Sequence, residues 1–254
     1  MSSMRRPTRW ILLLLCCALV AEARAAEPEL TKLSISVRGS ACSALLLRPP
    51  DARALLVFAH GQIMDIHHPF MASMSSALAR HGVATLRFNF PYAEAKREGL
   101  DGRAVLTDAV MAAAREGQKR RGSLPLLLGG KSIGGMMAAE VVNSAALPEV
   151  RGLVLFSYPL HAPGRPSAVN ANALRGLKLP TLVLQGTRDA LADLTLLTPL
   201  VAGLGPQVKL VTVRDADHGF ALPAGSARTQ EQVYEELASD VANFVATLAP
   251  KSGG

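Results

Sequence analysis

Short apolar runs of strand length alternate with helical patterns along most of the chain, and this alternation limits the possible folds more than any other feature. The predicted strands are residues 33–37, 44–47, 54–59, 83–88, 124–128, 152–157, 181–185 and 208–213. The predicted helices are residues 69–80, 101–116, 133–143, 191–204 and 229–248. This order predicts an α/β fold with a mostly parallel sheet of about seven or eight strands, helices on both faces and a leading antiparallel hairpin.

The first 25 residues have the pattern of a secretory signal peptide. Three arginines precede an apolar run of eleven residues, 10–20, and Ala23-Arg24-Ala25 supplies the small residues of a cleavage site. A buried helix or a short anchor is the alternative, although the run is shorter than the roughly 18–20 residues of a spanning helix. We therefore expect residues 1–25 to be removed and residues 26–254 to form one domain. The mature protein is expected to be periplasmic or secreted, without stable membrane insertion.

Composition excludes several classes of protein. Apolar residues make up 49% of the sequence and charged residues 19%, which is typical of a chain with a buried core. The expected signal peptide carries four basic residues and one acidic residue, so its removal lowers the net charge from +7 to +4. The sequence contains no basic cluster with interleaved aromatic residues, which is the pattern that predicts nucleic-acid binding. Cys42 would be the only cysteine left, so we expect no internal disulfide. His67-His68 lacks the spacing of helical metal ligands, and we expect neither a metal nor a cofactor.

The strongest functional signal is the segment Gly130-Lys131-Ser132-Ile133-Gly134, which fits the pattern G-x-S-x-G. It follows one predicted strand and precedes a predicted helix, a context in which the pattern places serine at the tip of a sharp turn. Flanking glycines let other segments approach that turn closely. A phosphate-binding loop would need a further upstream glycine in G-x-x-x-x-G-K-[ST], which is absent. The sequence therefore predicts Ser132 as a nucleophile, the alternative being a glycine-rich turn without catalytic function.

A serine hydroxyl needs a base, and the base needs an acid that orients it. His218 lies in a loop after the last predicted strand and is the best candidate for the base. Asp189 directly follows the predicted strand 181–185 and is the best candidate for the acid, although it could instead cap the next helix. The rival candidates for the acid are, in order, Asp193, Asp215 and Asp217.

A tetrahedral intermediate needs two N–H donors for its oxyanion. The Ile133 amide, directly after the predicted nucleophile, is expected to be one. The second is expected from the loop after the third strand, from the Gln62 amide or alternatively from Ile63. Candidate substrate contacts are Gly61, Tyr92 and His161. His161 either binds a substrate carboxylate or is an ordinary loop histidine, and His60 is expected to order its own loop.

The order of these motifs resembles that of the α/β-hydrolase superfamily, and especially of its dienelactone-hydrolase-like, small lidless members. The resemblance rests on His-Pro-Phe-Met at 68–71, Phe-Asn-Phe-Pro-Tyr at 88–92, a G-G-[KR]-S-[IM]-G-G nucleophile elbow at 129–135, Tyr-Pro-Leu-His at 158–161 and Gln-Gly-Thr-Arg-Asp at 185–189. It implies the α/β-hydrolase fold and a triad of Ser132, Asp189 and His218. It does not imply a substrate, because this superfamily hosts many activities. Related sequences have a small or glycine-rich segment where this chain has Gln62, whose side chain could narrow the acyl side of the pocket.

We therefore expect an exported serine hydrolase that cleaves small or medium esters through an acyl-enzyme. Residues 159–178, between two predicted strands, are too few for a large lid, and residues 162–174 are expected to form a small cap or a surface loop. One alternative is a non-catalytic interaction protein on a hydrolase scaffold. Another is a peptidase or thioesterase with the same triad. No feature of the sequence indicates an oligomeric state.

Overall fold

The computed structural model describes residues 26–145 and 147–248, so the expected signal peptide lies outside the described residues. The strands are β1 (Glu29–Val37), β2 (Ser40–Arg48), β3 (Ala54–Ala59), β4 (Val83–Phe88), β5 (Leu126–Lys131), β6 (Val150–Phe156), β7 (Thr181–Gly186) and β8 (Val208–Val213). The helices are α1 (Pro69–Arg80), α2 (Pro91–Glu94), α3 (Arg103–Arg120), α4 (Ile133–Ser144), α5 (Ala171–Arg175), α6 (Leu194–Ala202) and α7 (Gln230–Ala246). None of these helices is both long enough and apolar enough to cross a membrane.

The eight strands form one sheet in the order β1-β2-β4-β3-β5-β6-β7-β8. β2 is antiparallel to both β1 and β4, whereas every other neighbouring pair is parallel. The predicted fold class, a mostly parallel sheet led by an antiparallel hairpin, is therefore confirmed. Because the parallel strands end at one edge, the loops after β3, β5, β7 and β8 meet at the carboxyl edge of the sheet, where α/β proteins place their sites.

Helices cover both faces of the sheet. α1 and α7 pack on one face, where Phe70 of α1, Val241 of α7 and Phe58 of β3 belong to one buried apolar cluster. α3, α4 and α6 pack on the other face, around a second cluster that includes Leu106 and Leu197. Every residue of β3, β4, β5 and β7 is buried. Burial on both faces explains why most of these strands appear in the sequence as continuous apolar runs.

Two helix starts follow from local sequence. α1 begins at Pro69, whose missing N–H costs nothing in the first turn, and the Phe70 amide donates to His68 Nδ1 at 3.2 Å. α7 begins after a capping box, in which the Gln232 amide donates to the Thr229 hydroxyl and the Thr229 amide donates to the Gln232 side chain.

The structure differs from the prediction mainly at element boundaries. β5 runs on to Lys131 instead of ending at residue 128, because Gly129, Gly130 and Lys131 continue the pairing with β6 up to the turn. β1 and β2 each start four residues earlier than predicted, in stretches where exposed residues dominate and the apolar pattern is weak. Residues 162–170 form a loop that leads into the unpredicted short helix α5, which contains the last four residues of the predicted cap or loop, 162–174.

Candidate active site

Ser132 forms the turn between β5 and α4. Its backbone has φ 55° and ψ −123°, a combination that residues with side chains rarely adopt. A Cβ on Gly134 would lie 2.5 Å from the His60 carbonyl oxygen, and one on Gly130 would lie 2.6 Å from the Ala59 carbonyl oxygen. The two glycines therefore let the turn pack directly against the end of β3 and present the serine at its tip.

Ser132, His218 and Asp189 form one hydrogen-bonded group, named here the Ser–His–Asp cluster. The Ser132 Oγ lies 3.0 Å from His218 Nε2, and His218 Nδ1 lies 2.8 Å and 3.0 Å from the two carboxylate oxygens of Asp189. Because a carboxylate only accepts hydrogen bonds, Nδ1 carries the hydrogen and Nε2 is left to accept the serine proton. The fold thus brings three sequence candidates from three loops within the distances that a nucleophile, a base and an orienting acid need.

The Asp189 side chain is fully buried and is held by two further donors. The Leu191 amide donates to Oδ1 at 2.8 Å, and the Gln185 side-chain amide donates to Oδ2. These bonds fix the carboxylate in the orientation in which it meets the imidazole. Gln185 was not predicted as a site residue, although it directly precedes the Gly-Thr-Arg-Asp segment that ends at Asp189.

The rival acids have other partners. Asp193 caps α6 through the Thr195 amide. Asp217 accepts two backbone amides inside the turn that carries His218, and Asp215 is exposed. Of the four candidate acids, Asp189 is the one whose carboxylate hydrogen bonds to the histidine.

The expected oxyanion donors are backbone amides without protein acceptors. Among the described residues, the amides of Ile133, Gln62 and Ile63 donate to no protein group. Ile133 is the first residue of α4, where amides point out of the helix end and its dipole favours negative charge. Both candidates in the loop after β3 therefore remain available as the second donor.

The loop after β3 is held by His60 and Tyr92, which we name the loop clamp. The Phe90 amide donates to His60 Nε2 at 3.1 Å, which leaves the hydrogen on Nδ1 to be donated to the Gly61 carbonyl at 2.7 Å. The Tyr92 hydroxyl lies 3.1 Å from the Gly61 carbonyl oxygen and 2.8 Å from that of Gln62. Burial lowers the pKa of His60 to about 4 and raises the pKa of Tyr92 above its usual range. Tyr92, a candidate substrate contact, is thus 2% exposed and bonded to the loop backbone.

His161 is bonded to backbone groups in the same way as His60, but in another loop. The Asp193 amide donates to its Nε2 at 2.8 Å, and its Nδ1 hydrogen is donated to the Ala162 carbonyl at 2.9 Å. The residue is only 4% exposed. Both ring nitrogens are thus bonded to backbone groups. This geometry fits an ordinary loop histidine, the second predicted alternative, better than the binding of a substrate carboxylate.

A surface pocket of about 460 Å³ adjoins the loop after β3 and includes Gln62, Ile63, His68 and Tyr92 in its lining. A larger pocket, of about 820 Å³, lies near the amino ends of the strands and has no member of the Ser–His–Asp cluster in its lining. The smaller pocket also includes no member of this cluster, but its lining contains Gln62 and Ile63, which carry the candidate second oxyanion donors. In residues 26–145 and 147–248, no group of three His, Cys, Asp or Glu side chains is arranged to hold a metal ion.

A mostly parallel sheet with a serine at a strained strand-to-helix turn, and an aspartate and a histidine after later strands, defines the α/β-hydrolase class of enzymes. The chain belongs to this family, since residues 52–246 match the family described as alpha/beta hydrolase domain. The predicted family resemblance and enzyme class are thereby confirmed at the level of an α/β-hydrolase.

Several solved structures share the fold. A dienelactone hydrolase from Anabaena variabilis is 19% identical with a TM-score of 0.69, and the match covers 89% of this chain and 100% of that one. A serine hydrolase without a lid from Xanthomonas campestris is 21% identical with a TM-score of 0.64, covering 89% and 97%. Est1E from Butyrivibrio proteoclasticus, bound to ferulic acid, is 16% identical with a TM-score of 0.68, covering 85% and 100%. At these identities the likeness shows the fold.

Proposed function

We propose that this α/β-hydrolase is a serine hydrolase that cleaves small or medium esters through an acyl-enzyme. The observation that carries the proposal is the continuous hydrogen bonding from Ser132 Oγ through His218 to the buried Asp189 carboxylate. An isolated serine hydroxyl is a weak nucleophile, and this chain of bonds is the arrangement that activates it.

In the first half-reaction, His218 Nε2 takes the hydroxyl proton as Ser132 Oγ attacks the ester carbonyl carbon. The tetrahedral intermediate collapses, the bond to the alcohol oxygen breaks, and His218 returns the proton to the leaving alcohol. Water then attacks the acyl-enzyme, with His218 again as the base, and the acid leaves with Ser132 restored. Asp189 holds the imidazole in the required tautomer throughout.

The oxyanion of both intermediates would accept hydrogen bonds from the Ile133 amide and from the Gln62 or Ile63 amide. Removing one such donor costs about 3 kcal/mol of transition-state stabilisation in other hydrolases. The loop clamp supports this role because it fixes the carbonyls of the loop that bears the second donor.

The choice of small or medium esters rests on the loops at the carboxyl edge of the sheet. The pocket beside the loop of Gln62 and Ile63, the candidate second oxyanion donors, holds about 460 Å³, which suits a small molecule. Residues 159–178 supply a loop with one short helix instead of a large lid. The ferulic acid bound to Est1E and the dienelactone hydrolase support small acyl substrates by analogy. A peptidase or thioesterase with the same cluster is the alternative, and a substrate screen separates the three.

The test is labelling with a fluorophosphonate, combined with hydrolysis of a p-nitrophenyl ester. Wild-type protein is expected to be labelled, and Ser132→Ala to lose both labelling and at least about 1,000-fold of its activity. Ser123→Ala, which changes an exposed serine in the turn before β5, is the matched control and should behave like wild type. A folded wild type without labelling or activity would favour the non-catalytic interaction protein.

We also propose that the protein is exported to the periplasm or secreted, which rests on the pattern of residues 1–25. Expression of the full chain in a bacterium with a periplasm tests this. We expect the protein in the periplasm or the medium with Ala26 as its first residue. Uncleaved protein in the membrane fraction would support the short anchor instead.

A further inference from the structure

Lys131 directly precedes Ser132, but its side chain runs into the face of the sheet that α1 and α7 cover. The residue is 1% exposed. Its Nζ donates a hydrogen bond to the His218 carbonyl oxygen. The same nitrogen lies 5.7 Å from the ring centroid of Phe70 and 5.6 Å from that of Phe220. The amine is thus enclosed between two aromatic rings and the backbone of the candidate base.

This is a costly place for a lysine. In the part of the chain that the structure describes, no carboxylate forms an ion pair with the amine, and Asp189 and Asp217 attract it only from a distance. Burial outweighs that attraction and lowers the pKa of Lys131 to about 7. Ring faces and one carbonyl offset only part of the desolvation cost. A methionine of similar length would fill the space without this cost, so packing alone does not account for the lysine.

The loop that carries His218 is attached to the site on two sides. On one side it joins the loop of Asp189, where the Arg188 amide donates to the Ala216 carbonyl at 2.9 Å. That attachment fixes the histidine relative to its acid. On the other side, the bond from Lys131 joins the loop to β5, the strand that ends at the candidate nucleophile.

Aromatic packing reinforces the second attachment. Phe220 belongs to the histidine loop and Phe70 to α1, and their rings stack with centroids 6.0 Å apart and an interplanar angle of 13°. The Lys131 amine lies against both rings. The amine therefore has a defined position from which to hold the His218 carbonyl.

We propose that Lys131 is a positioning residue, whose hydrogen bond to the His218 carbonyl keeps Nε2 within reach of the Ser132 hydroxyl. The inference rests on the proposed serine hydrolase activity and deepens it. The reach matters because a misplacement of about 1 Å between reacting groups costs about 100-fold in rate.

The test compares three variants in hydrolysis of a p-nitrophenyl ester and in the rate of fluorophosphonate labelling. Lys131→Met removes the donor at nearly equal length, and we expect kcat and the labelling rate to fall about 10–100-fold while KM stays within about twofold. Lys131→Arg keeps a cation and N–H donors and is expected to recover part of the loss, because the larger guanidinium fits this buried site less well than the amine. Lys209→Met changes an exposed strand lysine and should leave both rates unchanged.

Circular dichroism first establishes that Lys131→Met is folded. Wild-type kcat and labelling in the folded variant would overturn the proposal, and so would a higher KM at constant kcat, because the lysine would then act on substrate binding. If the methionine variant does not fold, Lys131→Gln, whose shorter amide cannot span the same distance, is judged by the same criteria. An unlabelled wild type overturns the hydrolase proposal and this role together, whereas a labelled wild type with an unaffected variant overturns the role of Lys131 alone.

Discussion

The carboxyl edge of the sheet carries two groups of polar side chains that use similar residues differently. In the Ser–His–Asp cluster, the side chains bond to one another, and the His218 side chain is 26% exposed. In the loop clamp, His60 is completely buried and both of its nitrogens bond to backbone groups. Hydrogen-bond partners, more than residue type, thus separate a histidine that can exchange protons from one that holds a loop.

The two groups should respond differently to mutation. A change in the Ser–His–Asp cluster should reduce the rate of hydrolysis with little loss of stability, because the loops keep their backbone bonds. A change in the loop clamp should reduce stability first and rate second, because the clamp acts only through the loop that bears an oxyanion donor.

The largest expected effect is that of Asp189→Asn. The amide keeps the shape of the side chain but no longer favours the imidazole tautomer with its hydrogen on Nδ1. We expect kcat to fall about 1,000–10,000-fold, or about 4–5 kcal/mol, with little change in thermal unfolding. Steady-state kinetics and a melting curve measure the two quantities.

Asp193→Asn is the matched control, since it changes a neighbouring aspartate that caps α6. Asparagine is also a good N-cap, so activity and stability should both stay close to wild type. A large loss of kcat in this variant, with Asp189→Asn still active, would identify the rival acid and break the assignment of the Ser–His–Asp cluster.

The fold and the Ser–His–Asp cluster could be predicted because they depend on strand ends. A continuous apolar run locates a buried strand, and in a parallel sheet the residues after such runs meet at one edge. Ser132, Asp189 and His218 all lie directly after or near such ends, so their proximity follows from topology. The distances between these three side chains could be obtained only from the structure.

The role of Lys131 could not be predicted from the sequence. Its partner is a backbone carbonyl 87 positions away, and no residue type marks a carbonyl that will accept a bond. For the same reason the sequence did not predict the hydrogen bonds of Tyr92 and His161, whose polar atoms bond to backbone groups inside the protein. The predicted end of β5 was wrong for a related reason, because pairing with β6 extends the strand through two glycines.

The second expected effect concerns pH and His60. Its pKa is lowered by burial to about 4 from an ordinary value of 6.5. Above pH 6.5 the imidazole is neutral in both the folded and the unfolded chain, and its titration costs no stability. Between pH 6.5 and 4 the unfolded chain binds a proton that the folded chain does not, so the free energy of unfolding falls by about 3 kcal/mol in total.

Chemical denaturation at a series of pH values measures this slope. His60→Gln removes the titrating group and should lose the His60 part of the acid destabilisation, although the variant starts from a lower stability. Tyr92→Phe, which also weakens the loop clamp but keeps the histidine, is the control and should keep the wild-type slope. An unchanged slope in His60→Gln would mean that burial does not keep this histidine from binding a proton, which would contradict its assignment as a neutral member of the loop clamp.

The smallest expected effect is that of Tyr92→Phe, which removes one hydroxyl from the loop clamp. The Gly61 carbonyl keeps its bond from His60, but the Gln62 carbonyl loses the donor at 2.8 Å. We expect a loss of about 1 kcal/mol in unfolding free energy and a fall of a few fold to about 10-fold in kcat at constant KM. Tyr158→Phe removes a buried hydroxyl that donates to the Asn170 carbonyl, and it should lower stability alone. A higher KM with unchanged kcat in Tyr92→Phe would show instead that Tyr92 contacts the substrate, which is the role that the sequence suggested for it.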